Sequence, residues 1–179
     1  FVKIVPKFEK LEKVYIILSF LLIISTLVLG SAEYGSKNWI YIGSFSFQPS
    51  EIVKFLYIFY LASVFRKKID LKGLIITAAV SGMLVILLVL QKDLGSALIF
   101  YMTYLTMLYM ATSNEILLFS GIGVLAAGSV FAYRLFSHVR VRVSAWKNPW
   151  ADIDSGGYQI CQSLFAIGTG GLLGSGLTR

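Results

Sequence analysis

The sequence predicts an all-α, polytopic integral membrane bundle. Of its 179 residues, 57% are hydrophobic and only 14% charged, and the mean hydropathy is +0.78, far from the balance of a soluble domain. The apolar residues gather into five segments, each close to the roughly 20 residues that carry a helix across hydrocarbon. No internal repeat or low-complexity linker separates them, so one membrane domain is expected over residues 1–179. The chain starts at Phe1 without a signal peptide and stops at Arg179 just after a glycine run, so it reads as an internal piece of a longer protein.

Orientation follows from the basic residues. Lys3, Lys7, Lys10 and Lys13 precede the first span, residues 14–29. Arg66, Lys67, Lys68 and Lys72 come two spans later, on the same side by parity. Lysine and arginine are retained in the cytoplasm, so both groups place the N-terminus inside. Residues 31–48, 91–93 and 137–159 then face outward, and residues 113–115 face inward.

In the first outer loop Asn38 is followed by Trp39, a residue type at home at a membrane interface. Gln48-Pro49-Ser50-Glu51 then reads as a helix start, because proline is pre-organised for the first turn and Ser50 and Glu51 suit the N-terminal end. The second span covers residues 49–65. Within it Glu51 and Lys54 are three apart and share one face. Ionised groups inside a span are costly and usually face the bundle interior in pairs. This pair either pins two helices together or helps to hold a substrate or a catalytic group. The third and fourth spans, residues 73–90 and 94–112, are separated only by Gln91-Lys92-Asp93, so Asp93 is expected to cap the following helix. The fifth span covers residues 116–136.

Arg134, Arg140, Arg142 and Lys147 then fall at or beyond the outer boundary, against the usual charge bias. They form either a tolerated basic loop or an anion site for a lipid headgroup or phosphate-bearing substrate. Arg140 and Arg142 alternate with Val139, Val141 and Val143, so an extended segment is expected, with both guanidinium groups on one side. Residues 148–159 are turn-rich, residues 160–167 have amphipathic spacing, and a glycine run follows. That run fits close helix packing or a re-entrant segment. It is not a dinucleotide loop, since Leu173 takes the place of the last glycine and no strand precedes it.

Several chemistries find no support. The net charge of +7 is divided between the two membrane faces, so no nucleic-acid partner is needed to explain it. There is no zinc pattern, Walker loop or nucleophile elbow. Cys161 is the only cysteine, which excludes an internal disulfide, and His138 is the only histidine. A structural or interfacial role fits that histidine better than a catalytic one.

Taken in order, these motifs resemble one family closely. Trp39, Gln48-Pro49-Ser50-Glu51-x-x-Lys54, Gln91-x-Asp93-Leu94-Gly95, Asn148-Pro149-Trp150-x-Asp152, Gly157-Tyr158-Gln159 with Gln162-Ser163, and Ala166-Ile167-Gly168-x-Gly170-Gly171-x-x-Gly174-x-Gly176 are similar to the successive signatures of the RodA/FtsW/SpoVE (SEDS) proteins of the bacterial envelope. The match covers nearly the whole chain in the family's order.

The resemblance implies a ten-helix protein of the plasma membrane, its active face outward, of which this chain spans the third to seventh helices and part of the large outer loop. It implies polymerisation of lipid II into glycan strands, with a class B penicillin-binding protein and other cell-wall synthesis or division proteins as partners. The carboxylate usually proposed as catalytic belongs to a motif beyond residue 179, so no catalytic residue is expected within this chain. Lys92 stands where the family often has proline.

The implied reaction transfers a glycan from undecaprenyl pyrophosphate to the 4-hydroxyl of another lipid II. A base must take that proton, while cations or a divalent metal ion offset charge on the departing pyrophosphate. Arg140 and Arg142 are the candidates for the leaving group. Asp152, Tyr158 and Gln159 are candidates for the acceptor side. Trp39, Gln48, Glu51, Lys54 and Asp93 are the supporting residues. Two rivals are a lipid II flippase, with Glu51 and Lys54 marking its path, and a non-catalytic scaffold that recruits synthetic enzymes.

Overall fold

The computed structural model describes residues 11–33, 36–43, 45–66, 70–171, 174 and 176. Expectations resting on Lys3, Lys7, Lys10, Lys67 and Lys68, and on Leu172, Leu173 and Ser175 of the glycine run, lie outside these residues.

Each apolar segment forms one helix: α1 (Glu12–Leu29), α2 (Pro49–Phe65), α3 (Leu71–Leu90), α4 (Leu94–Thr112) and α5 (Glu115–Leu135). Two shorter helices follow, α6 (Ser137–Lys147) and α7 (Tyr158–Gly170), joined through a single 3-10 turn, Pro149–Asp152. Four of these helices, α1, α3, α4 and α5, are long and apolar enough to cross a membrane. The 17-residue α2 begins at Pro49 with Gln48 before it, as its sequence signals require. The chain is thus a multi-pass, all-α membrane bundle with one small sheet.

That sheet is the departure from the sequence reading, which treats residues 31–48 as loop. Strands β1 (Ser31–Glu33), β2 (Ser36–Ile42) and β3 (Phe45–Phe47) form an antiparallel meander. Ser31 pairs with Trp39, and Ile40, Tyr41 and Ile42 pair with Phe47, Ser46 and Phe45. The cause is local. Trp39-Ile40-Tyr41-Ile42 is rich in strand formers, and Gly43, at φ 63°, takes the left-handed conformation that a two-residue hairpin needs. Such a short run lacks the length that makes the apolar helices legible.

Two compact units are present, Phe1–Gly121 and Ile122–Arg179. In the first, α1 packs on α2, α3 on α4, and α2 on α4. Ile23, Val53, Tyr57, Leu61, Leu84, Leu88, Phe100 and Leu105 form its buried centre, with Tyr57 stacked on Phe100 at 5.0 Å between ring centroids. Lipid gives apolar helix faces no reason to leave it, so close packing and interhelical hydrogen bonds must hold the bundle. Thr77 Oγ1 and Tyr104 Oη lie 3.3 Å apart between α3 and α4, and Tyr101 Oη donates to the Gly121 carbonyl at 2.8 Å. Leu21, Ile86, Met110 and Ile116 remain exposed, as lipid-facing residues should be.

Candidate functional site

The first unit gathers its polar residues around one carboxylate. Asp93 caps α4, its Oδ1 accepting from Ser96 N at 3.0 Å. Its Oδ2 accepts from Asn38 Nδ2 at 2.8 Å, Gln48 Nε2 at 2.9 Å and Ser96 Oγ at 2.9 Å. One carboxylate therefore joins β2, the start of α2 and the first turn of α4. The expected cap is present, and residues from the first outer loop, the start of α2 and the turn before α4 meet at it. Asn38 and Ser96 are members that the sequence reading did not single out as site residues. Only long-range contact, 55 residues apart for Asn38, assigns the first of them.

A second tie reinforces the first. Lys37 N donates to the Gln91 carbonyl at 3.1 Å, while the buried Gln91 side chain donates from Nε2 to the Ile23 carbonyl at 2.8 Å. The three-residue turn thus anchors both the sheet and α1. Lys92, in the same turn, has φ 62°, and its N–H donates to the Val89 carbonyl at 2.9 Å. Proline satisfies neither condition, having φ fixed near −65° and no N–H. The lysine therefore accompanies a turn that a proline at this position would not form.

Glu51 and Lys54 form an ion pair of 2.7 Å, with side-chain exposures of 58% for Glu51 and 25% for Lys54. It lies within α2, so it does not pin two helices together. Trp39 is half-buried on β2.

The second unit corrects one expectation. Residues 139–143 belong to the helix α6 and are not extended. At about 100° per residue, Arg140 and Arg142 leave that helix on nearly opposite sides, so they do not form a two-pronged face for a diphosphate. Arg140 instead caps α5, its Nη1 donating to the Arg134 carbonyl at 2.9 Å and the Tyr133 carbonyl at 3.4 Å. A cation on the last carbonyls of a helix is favourable. In place of the alternating pattern, the helix buries Ala145 and sets Val141, itself 52% exposed, beside Gly156.

That segment is a tight corner. The Asp152 carboxylate accepts from Ser155 Oγ and from Gly156 N, the latter at 3.0 Å, and these bonds hold its carboxyl below the ordinary range. Gly157 N donates to the Asp152 carbonyl at 2.8 Å. A side chain at Gly157 would place its first carbon 2.1 Å from the Pro149 carbonyl oxygen, which only glycine avoids. Cys161 Sγ donates to that same carbonyl at 3.4 Å, and Trp150 packs on Phe165 at 5.8 Å. Tyr158 and Gln159, exposed, start α7 directly after this corner. Among the described residues no three His, Cys, Asp or Glu side chains come together to hold a metal ion.

The comparisons with known proteins agree with one another. The FtsW/RodA/SpoVE family model, described as a cell cycle protein, matches residues 1–179. The peptidoglycan glycosyltransferase RodA of Mycobacterium tuberculosis (strain ATCC 25618 / H37Rv) is 37% identical over 166 residues, covering 82% of this chain and 35% of its own. The probable peptidoglycan glycosyltransferase FtsW of Coxiella burnetii is 40% identical over 169 residues, covering 90% of this chain and 45% of its own. A chain from a solved peptidoglycan synthase complex superimposes with a TM-score of 0.70 at 28% identity, over 93% of this chain and 51% of that one. The chain spans between a third and a half of the curated relatives it matches. By the family match over its whole length, this chain belongs to the FtsW/RodA/SpoVE family.

Proposed function

We propose that this chain is the part of a peptidoglycan glycosyltransferase that builds the polar floor of a lipid II polymerisation site at the outer face of the plasma membrane. The observation that carries the reading is the Asp93 hub, in which the motif residues Gln48 and Asp93, together with Asn38 beside Trp39, converge by direct hydrogen bonds. Relatives bearing the glycosyltransferase name support it. Asp93 accepts four hydrogen bonds and serves as a brace, leaving proton abstraction to a carboxylate supplied from beyond residue 179. Glu51 and Lys54, paired within the first turns of α2, support that floor. Asp152 holds the corner that presents Tyr158 and Gln159 to the acceptor sugar. Arg140 and Arg142, turned to nearly opposite sides of α6, do not act together on the leaving group. The partner is a class B penicillin-binding protein within the wider wall-synthesis machinery.

The test uses the full-length protein with its penicillin-binding partner inactivated in transpeptidation. Labelled lipid II should be converted to long glycan. Movement of lipid II across vesicles without polymer would replace this reading by the flippase, and neither activity would favour the scaffold.

A further inference from the structure

Besides the hub, the first unit holds a second group of polar side chains, one that the glycosyltransferase reading does not use. Tyr57 is the middle residue of α2, and Ser81 falls at the middle of α3, so each lies about 12–15 Å from its helix ends at 1.5 Å per residue. Thr77, one turn before Ser81 on α3, and Tyr104 on α4 complete the group, with their hydroxyl oxygens 3.3 Å apart. All four side chains are buried.

These hydroxyls are not equally served. Thr77 Oγ1 donates to the Gly73 and Leu74 carbonyls, both at 3.0 Å, so in its contact with Tyr104 the tyrosine is the donor. Ser19 and Ser63 likewise turn back onto their own helices, each bonding the carbonyl four residues earlier at 2.7 Å. Ser81 does not. Its Oγ and the Tyr57 Oη are buried without a hydrogen-bond partner, in residues only 4% and 1% exposed. The two come within polar reach of each other, yet no direct bond joins them. Nor can Tyr57 turn elsewhere, because its ring is stacked on Phe100. Both α2 and α3 pack on α4, so side chains must span the gap between them.

Hydrocarbon offers such hydroxyls nothing, and leaving them unserved is costly. Two unserved groups that approach each other, beside a third oxygen that can still accept, match the setting of an internal water, which needs about two to four polar partners. We propose that the junction of α2, α3 and α4 holds one ordered water molecule, which accepts from Tyr57 Oη and donates to Ser81 Oγ. Its second hydrogen is left for Tyr104 Oη, whose own proton is committed to Thr77. The water ties α2 to α3 and α4 at mid-membrane, and Asp93 ties α2 to α4 at the hub.

Radiolytic labelling of the full-length protein in nanodiscs tests this, because a brief X-ray pulse makes hydroxyl radicals wherever water is held. Phe100, buried against Tyr57, should be oxidised alongside the exposed Tyr158. In Tyr57→Phe/Ser81→Ala the Phe100 product should be lost and the Tyr158 product kept. An unlabelled Phe100 in the unaltered protein overturns the proposal. So does Phe100 labelling that persists in the double variant, since the source is then penetrating solvent and not a water held by these hydroxyls. Thermal midpoints supply the second measurement: Tyr57→Phe and Ser81→Ala should each lower the midpoint, and the pair should lower it less than their sum, because the partner left unserved by one change is removed by the other. Strict additivity would show that the two hydroxyls share no ligand. Coupling without Phe100 labelling would mean a direct hydroxyl–hydroxyl bond in place of the water.

Discussion

Asp93 joins two jobs that are usually separate, capping a helix and fastening a distant strand to it. The Asn38 side chain is buried, with 8% of its surface exposed, so removing its acceptor strands a donor away from water. Such a loss costs about 1–3 kcal/mol. Asp93→Ala should therefore lower the thermal midpoint of the full-length protein in detergent, and Asn38→Ala combined with it should cost less than the sum. Strict additivity would show that the 2.8 Å contact contributes nothing. Lys92 offers an independent test. A left-handed non-glycine residue carries about 1–2 kcal/mol of strain, so Lys92→Gly should raise the midpoint and Lys92→Pro should lower it, through both φ and the lost bond to Val89. The cap at Asp93 was legible because only two polar residues precede it between apolar helices. The partnership with Asn38 and Gln48 was not, because sequence spacing carries no record of which loops meet. Nor was the left-handed turn at Lys92, since lysine gives no signal for it.

Among the elements, the five long helices were legible for a physical reason: hydrocarbon demands about 20 apolar residues with every backbone group bonded internally. The sheet at β1–β3 and the helix α6 were misjudged for the converse reason. Both are too short for the membrane-length apolar signal: the sheet follows from its local strand formers and the turn at Gly43, and α6 from what it touches. Val-Arg-Val-Arg-Val mimics strand alternation, yet the carbonyls of α5 and the corner at Gly156 decide in favour of a helix. That corner responds to pH in a definite direction. The Asp152 carboxyl is depressed in the folded protein by Ser155 Oγ and Gly156 N, so its bracing is complete above the ordinary carboxylate range and is lost as pH falls through the lower, folded value. Hydrogen exchange at the Gly156 amide should stay protected at pH values that protonate unrestrained aspartate. Ser155→Ala should move the loss of protection upward. An unchanged profile in that variant would remove the serine from the account.

For the whole molecule, the basic residues predict which membrane face carries the Asp93 hub and which the Asp152 corner. Two basic groups vote, and they vote together. Lys13 lies in the first turn of α1 and Lys72 in the first turn of α3, so the chain runs through α1 and α2 from one to the other. Retention of lysine and arginine in the cytoplasm puts both inside. On that assignment the Gln91–Asp93 turn after α3 is expected outside, and so are the residues after α5. Arg134, Arg140, Arg142 and Lys147 oppose this assignment by their number alone. The earlier helices carry more weight in setting topology, because they are inserted first, so the opposing charges should not invert it. In a Cys161→Ser background freed of other cysteines, Ser155→Cys in the full-length protein should react with an impermeant thiol reagent while the plasma membrane is intact. Lys72→Cys should react only after permeabilisation. The reverse pattern would place the hub and the corner on the cytoplasmic side and would withdraw the proposed function together with the orientation.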